Sequence, residues 1–417
     1  MALFLRHGLD TPMAFLLKGE PMIVSRQIQK LIADQEGWTR RMFEEGIKIK
    51  KLYGDENVYD FSLGNPDTEP PEELHRMMID SLRNPAKGMH RYMSNNGYED
   101  VRQDIAEYLG ELYGLPFTAS HVFMSNGAAG GLNILLKVML NRGDEVIVPS
   151  PFFWEFRNYV NNHGGALKTV ESKDDFQLDI DRLADAITPK TRAVLINSPN
   201  NPTGTVYSER SISDLVTLLN RKRSEGQDIY LIADDAYRKL VFDGVELPNV
   251  FRSYDLTCSI NSHSKDLALP GERIGYIAIS PHLPDAEMLI SGLMITQRTL
   301  GFVNAPALFQ RIVSKFQRTS VDIGEYQRKR DILYDALVEG GFDCVKPQGA
   351  FYMFPRSPIP DELKFIRALQ QEERIMVVPG RGFGKKGYFR IAYCAPMGTL
   401  EKSLDGFIRM GKRFIKR

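Results

Sequence analysis

Val122-Phe123-Met124 runs into Ser125-Asn126-Gly127-Ala128-Ala129-Gly130-Gly131, and apolar positions at helical spacing continue from there to Leu140. A short apolar run, a turn of small residues and a helix form one unit of an α/β fold. The unit recurs. Asp144-Glu145-Val146-Ile147-Val148-Pro149 precedes a helix, and Ala193-Val194-Leu195-Ile196-Asn197 precedes a Pro-rich loop and a helix over 211–223. Tyr230-Leu231-Ile232-Ala233-Asp234 and Cys258-Ser259-Ile260-Asn261 follow. Short, near-continuous apolar strands separated by helices predict a mostly parallel sheet covered on both faces. Such sheets bind ligands beyond the carboxyl ends of their strands.

Upstream, charged helical periodicity covers 25–52, and Tyr59-Asp60-Phe61-Ser62-Leu63-Gly64-Asn65-Pro66 turns the chain at a Gly-Asn-Pro loop. Helices are predicted over 70–83 and 98–113. The first residues, 1–17, have apolar pieces broken by Arg6, His7 and Asp10 and read as an arm, not a secretory signal. Beyond Leu300 the pattern predicts a long charge-laced helix over 305–338, short strands over 350–354 and 388–393, and a basic amphipathic helix to Arg417. The expected organisation is an N-terminal arm (1–60), a large ligand-binding domain (61–300) and a smaller α+β domain (301–417).

The 417 residues are 43% hydrophobic and 25% charged, ordinary globular proportions. Lys+Arg 53 balance Asp+Glu 53, so the net charge points to no nucleic-acid or membrane partner. Cys258, Cys344 and Cys394 are far apart and odd in number, which fits neither a disulfide framework nor a zinc site. A reducing, cytoplasmic setting and a soluble, metal-free protein are expected.

Residues just past the strands carry the chemistry. Gly127-Ala128-Ala129 opens a helix behind a strand, so its backbone amides can face a phosphate, close helix–strand packing being the plainer use. Ser262 and Ser264, in Ser262-His263-Ser264-Lys265, add hydroxyl donors. Arg273, in Pro270-Gly271-Glu272-Arg273-Ile274-Gly275-Tyr276, adds a permanently charged fork suited to a phosphate dianion, with a surface ion pair as the alternative. Lys265 supplies the primary amine that a Schiff base requires, and its Ser-x-Ser-Lys setting separates it from ordinary surface lysines. Asp234 ends an apolar strand, where a carboxylate can keep a pyridine nitrogen protonated. Asp235 beside it takes the structural role. Tyr237 and Asn201 can bond a phenolic oxygen, an Asx turn being the alternative for Asn201. Phe153 is the first candidate to stack on a pyridine ring, with Phe152 and Trp154 also open. Arg390 lies in an otherwise apolar strand and requires an anion, either a substrate α-carboxylate held bidentately or a buried ion pair. An amine, an anion for a pyridinium nitrogen, and small hydroxyls and amides for a phosphate together describe a pyridoxal phosphate site.

From about Phe61 to the C-terminus these motifs, in this order, resemble the class I/II aminotransferases, fold-type I pyridoxal phosphate enzymes of the aspartate aminotransferase superfamily. The resemblance implies a mixed, mostly parallel seven-stranded sheet and a small domain made jointly by the N-terminal arm and the C-terminal segment. It implies pyridoxal 5'-phosphate bound as an aldimine to Lys265, with Asp234 on the ring nitrogen and Tyr237 and Asn201 on the phenolic oxygen. Ala128, Ala129, Ser262, Ser264 and Arg273 would surround the phosphate, Phe153 would stack on the ring, and Gly64 and Arg390 would meet the substrate carboxylate. Tyr92, in Tyr92-Met93-Ser94-Asn95-Asn96-Gly97, resembles a tyrosine given to the partner subunit's phosphate, which implies a homodimer with shared active sites.

The implied activity is ping-pong transfer of an amino group from an L-amino acid to a 2-oxo acid, with the freed Lys265 amine moving the Cα proton. Two departures stand out. Ala128-Ala129 occupies the phosphate loop where a small or glycine pair is usual. Arg298 lies near where aspartate-specific relatives read a second carboxylate, but with shifted spacing, and an ordinary exposed arginine is its alternative. A lyase on the same scaffold, carbon–sulfur β-lyase or aminocyclopropane-carboxylate synthase-like, is the rival activity. A regulatory sensor is remote, because the segment before Phe61 shows no helix-turn-helix with a basic face. Aspartate, alanine and aromatic donors all stay open.

Overall fold

Apolar runs that cannot meet water on either face must pair side by side, and in the computed structural model they do. The structure describes residues 37–252 and 254–415, together with Val24, Ser25, Ile28, Gln29 and Leu31. The expected arm over 1–17 lies outside the described residues. A short strand β1 (Tyr59–Asp60) precedes the main sheet, which is built from β2 (Val122–Ser125), β3 (Glu145–Ser150), β4 (Ala166–Glu171), β5 (Thr191–Asn197), β6 (Tyr230–Asp234), β7 (Thr257–Ser262) and β8 (Gly275–Ile279). These form one seven-stranded sheet in the order β2-β8-β7-β6-β5-β3-β4. The pairs β3–β4, β3–β5, β5–β6 and β6–β7 are parallel. β8 runs antiparallel to both its neighbours. The fold is therefore α/β with a mixed, mostly parallel sheet, as expected.

Two strands of this sheet escape the sequence reading. β4 is an edge strand whose residues are mostly part-exposed, so no apolar run marks it. β8 is fully buried, but it is short and follows at once on the loop that carries Arg273.

The helix predicted over 305–338 is in fact two, Ala307–Ser314 and Ile323–Glu339. The break has a cause. Val321 N–H donates to the Asp266 carbonyl at 2.8 Å and Lys239 Nζ donates to the Thr319 carbonyl at 3.1 Å, bonds that a continuous helix would deny. Asp322 then caps the second helix by accepting from the Gly324 and Glu325 amides. Of the predicted helix over 25–52, the described helix is Trp38–Tyr53.

The C-terminal strands expected over 350–354 and 388–393 are shorter than predicted, and two further short strands that the sequence reading did not include accompany them. β9 (Tyr352–Met353), β11 (Val378–Pro379) and β12 (Phe389–Ala392) form a three-stranded sheet in the order β11-β12-β9, while β1 pairs in parallel with β10 (Ile375–Met376). Two apolar clusters result. One surrounds the large sheet and includes Leu135, Val146, Val194, Ile232 and Ile277. The other gathers Ile49, Phe61, Leu333, Phe351, Phe389 and Phe407, from both ends of the described chain, and takes in Tyr237 and Leu240 from the loop after β6. Each such fully buried side chain contributes roughly 1.5–3 kcal/mol. Among the described residues no helix is long and apolar enough to cross a membrane.

Gly275 joins the fold to the site. It registers with Ser262 on one side and Ser125 on the other, and a Cβ there would fall on the Asn261 carbonyl. Gly275→Ala is expected to cost about 3 kcal/mol, seen as a lower urea midpoint, because backbone is the obstacle and cannot rotate away. An unchanged midpoint would contradict this packing.

Candidate active site

β5, β6 and β7 are adjacent and end at Asn197, Asp234 and Ser262, so their carboxyl ends set three polar residues along one edge. Beyond this edge opens a cleft of about 480 Å³. Every candidate cofactor or substrate residue except Tyr92 lines it: Gly64, Ala128, Ala129, Phe153, Asn201, Asp234, Tyr237, Ser262, Ser264, Lys265, Arg273 and Arg390. Tyr92 is 88% exposed. Arg298 ends the helix Ala286–Thr299, exposed and away from the cleft lining.

One end of the cleft is rich in donors. The helix Gly127–Met139 starts there, and its first-turn amides have no partners within the helix. Ser262 Oγ donates to Ser264 Oγ at 2.9 Å and accepts from the Ser264 amide at 3.3 Å, capping the short helix His263–Asp266. Arg273 Nη1 donates to the Pro270 carbonyl at 3.0 Å and approaches Ser264 Oγ at 3.5 Å. Its guanidinium lies against Gly127. Among the described residues no carboxylate pairs with it, so the surface ion pair considered for Arg273 is absent.

Lys265 projects from that short helix. Its Nζ donates to the Gly64 carbonyl at 2.7 Å and lies 5.3 Å from the centre of the Phe351 ring. Burial pulls its amine down to about 8, Arg390 and Arg273 add to this, and Cys394 opposes it. At the end of β6, burial pushes the Asp234 carboxyl up to about 7, against the Ala236 amide that donates to it at 3.2 Å. Asp235 points elsewhere. It accepts from Ser259 Oγ at 2.6 Å and stands 3.9 Å from Arg238, a structural role.

Arg390 is 2% exposed. Its Nη2 donates to the Ser62 carbonyl at 2.7 Å and its Nη1 to Asn201 Oδ1 at 3.0 Å. The Tyr352 and Phe383 rings each lie 4.6 Å from its Cζ. Nε has no partner, and among the described residues no carboxylate faces the group, so the buried ion pair is not formed. The Asn201 backbone amide donates to Asn197 Oδ1 at 2.7 Å, a bond made by the Asn197 side chain and not the Asx turn considered for Asn201. The Asn201 side chain is committed to Arg390.

Of the three aromatics after β3, Phe152 is buried beneath Gly384, with Trp154 stacked on it at 5.9 Å. Phe153 and Trp154 both line the cleft.

Tyr352, Asn197 and the wall formed by Trp38, Phe43 and Phe383 were missed in the sequence. Tyr352 Oη lies 2.8 Å from Tyr237 Oη and passes so close over Gly64 that a Cβ there would fall on its hydroxyl. This close approach explains the glycine. The one available signal was a phenol in an otherwise apolar buried strand.

The sequence matches the family described as aminotransferase class I and II over residues 56–406. The chain belongs to that family. It is 29% identical to the aspartate aminotransferase of Bacillus subtilis (strain 168) over 87% of this chain and 92% of that protein. It is 30% identical to aromatic-amino-acid aminotransferase 2 of Thermococcus litoralis, over 86% and 94% respectively. The crystal structure of an amino transferase from Eubacterium rectale superposes with a TM-score of 0.90 at 38% identity, covering 94% of this chain and all of that one. The chain is thus a pyridoxal phosphate-dependent aminotransferase of fold type I, and the lyase reading is not favoured.

An amine that titrates near 8 reacts with electrophiles well below the range of surface lysines, at about 10.4. In cofactor-free protein, the rate of Lys265 acylation, followed by mass spectrometry, should rise with pH to a midpoint near 8. A midpoint shared with the surface lysines would contradict the placement of Lys265.

Proposed function

We propose that this cleft binds pyridoxal 5'-phosphate and an L-amino acid together, with the α-carboxylate on Arg390 and the amine exchange at Lys265. One observation carries the reading: Lys265 Nζ and Arg390 Nη2 are tied to carbonyls two residues apart, Gly64 and Ser62, each at 2.7 Å. A reactive amine and an unpaired guanidinium are thereby held beside the same turn. The amine and carboxylate of an α-amino acid need that pairing.

The donor set fits the cofactor. Ala128, Ala129, Ser262, Ser264 and Arg273 offer amides, hydroxyls and a free cation for its phosphate. Asp234 offers a buried carboxylate with no cation of its own, suited to a protonated ring nitrogen. The Tyr237 hydroxyl and the Asn201 Nδ2, whose Oδ1 is taken by Arg390, would serve the phenolic oxygen, and Phe153 the ring face. When bound, the cofactor supplies an electron sink that stabilises charge at the substrate Cα. Lys265 Nζ, largely neutral once pH exceeds about 8, accepts the Cα proton and returns it during transfer. Arg390 fixes the carboxylate so that this proton faces the amine. The family's ping-pong course then passes the amino group to a 2-oxo acid.

A homodimer belongs to the same reading. Asn304 Nδ2 donates to the Ser94 carbonyl at 2.8 Å and Asn95 Nδ2 donates to the Val303 carbonyl at 2.8 Å, so the Tyr92 loop is held while its ring projects outward. Such a presentation suits insertion beside a partner's cleft. Light scattering showing two chains per particle is the check. Contacts of the N-terminal helix and β1 with β10 and β11 support a small domain shared by 1–60 and 301–417, with 61–300 as the cofactor domain. Three free cysteines are in keeping with a reducing cytoplasm.

Arg390→Leu should lower kcat/KM for α-amino acids by roughly 10²–10³-fold, the loss expected on deleting one partner of a buried charged pair. It should leave the slow reaction with simple primary amines unchanged. Equal activity of the variant toward amino acids would overturn the assignment of Arg390.

A further inference from the structure

The side chain of a bound amino acid springs from the carbon that also carries its amine and carboxylate. On the reading above, those two groups are held at Lys265 and Arg390, whose anchoring carbonyls flank Leu63. Leu63 is 43% exposed and lines the cleft. Trp38 and Phe43, from the helix Trp38–Tyr53, and Phe383 line the same cleft and supply further large apolar side chains outside the cofactor residues. Gly382 lets the start of that helix come close, since a Cβ there would crowd the Trp38 side chain.

The charged residues lining the cleft are Arg40, Glu155, Asp234, Lys265, Arg273 and Arg390. Three of the four cations already have roles, at the amine, the phosphate and the α-carboxylate. The fourth, Arg40, has an 84% exposed side chain and donates through Nε to Glu44 at 2.9 Å. A donor with a second carboxylate would therefore bring an anion against Leu63, Trp38 and Phe43 with no unassigned buried cation among the described residues of this chain that line the cleft, an arrangement that costs free energy unless paired.

We propose that the amino donor is a neutral L-amino acid with a large aliphatic or aromatic side chain, seated on Leu63, Trp38, Phe43 and Phe383. This rests on the assignment of Lys265 and Arg390 to the substrate backbone. An apolar pocket separates substrates by the area they bury and by what they leave unpaired.

Trp38 and Trp154 are the chain's two tryptophans, and both line the cleft. In a Trp154→Phe variant loaded with pyridoxal phosphate, emission comes from Trp38 alone and reports this wall without turnover. The probes are amine-free acids: 3-phenylpropionate, 4-methylpentanoate and succinate. The expected result is a change in Trp38 emission with the two apolar acids, at Kd values at least about tenfold below that of succinate. In the unmodified enzyme, phenylalanine or leucine should bleach the visible cofactor band with a second-order rate constant at least about 100-fold above that of aspartate.

Leu63→Arg places a cation on a partly exposed position and should raise the rate with aspartate at least about tenfold. Trp38→Ala should weaken 3-phenylpropionate while leaving acetate binding unchanged, which separates loss of the wall from loss of fold. Tighter succinate binding, or faster reaction with aspartate, overturns this inference and leaves the Lys265 and Arg390 reading intact. No emission change with any acid and no bleaching by any donor overturns both.

Discussion

Three ionisable side chains, Lys265, Asp234 and Arg390, are withdrawn from water around one cleft, and none is paired with an opposite charge among the described residues. Much of the architecture serves this costly arrangement. Burial disfavours the charged form of each group. The fold tolerates them because neutral acceptors and donors take up part of their capacity: the Gly64 carbonyl for Lys265, the Ala236 amide for Asp234, and the Ser62 carbonyl with Asn201 for Arg390. Buried charges answered in this partial way are poor stabilisers and good ligand sites.

Several features that look separate follow from that need. The parallel strands must end together, because Asp234 and the short helix carrying Lys265 come from β6 and β7. Gly64 must lack a side chain so that Tyr352 can pass over it and reach Tyr237. The interruption between Ser314 and Ile323 frees Val321 to bond the Asp266 carbonyl, one residue past Lys265. Asp266 is itself held by Lys239 at 2.8 Å, and burial there is outweighed by Lys239 and His263, which draw its carboxyl down to about 2. The reactive amine thus sits on a short helix braced from two sides.

Legibility in the sequence tracked locality. The strand end at Asp234 and the Ser262 to Lys265 run were readable because the chemistry lies beside an apolar run that declares itself. Asp235 was readable as structural for the same reason. Tyr352, Asn197 and the Trp38 wall were not, since each acquires its role only from a partner far along the chain. The edge strand β4 lacked an apolar run, and the break near residue 318 depended on tertiary hydrogen bonds that periodicity does not encode. Arg390 fell between these cases. Its burial was foreseeable from an apolar strand, but that it forms no ion pair among the described residues was visible only from its neutral partners in the structure.

The most direct test concerns Asp234. Its folded value of about 7 lies above the ordinary carboxyl value of about 3.9, so the folded state binds more protons between the two. Stability therefore falls as pH rises through that window, and the full cost is present above it. Chemical unfolding of cofactor-free protein at pH 8 should show Asp234→Asn more stable than the unmodified chain by about 2–4 kcal/mol. Added pyridoxal phosphate should then stabilise the unmodified chain markedly and the variant far less. A variant that is less stable without cofactor, or one that gains as much from it, would contradict a site built around a carboxylate buried to await a cation.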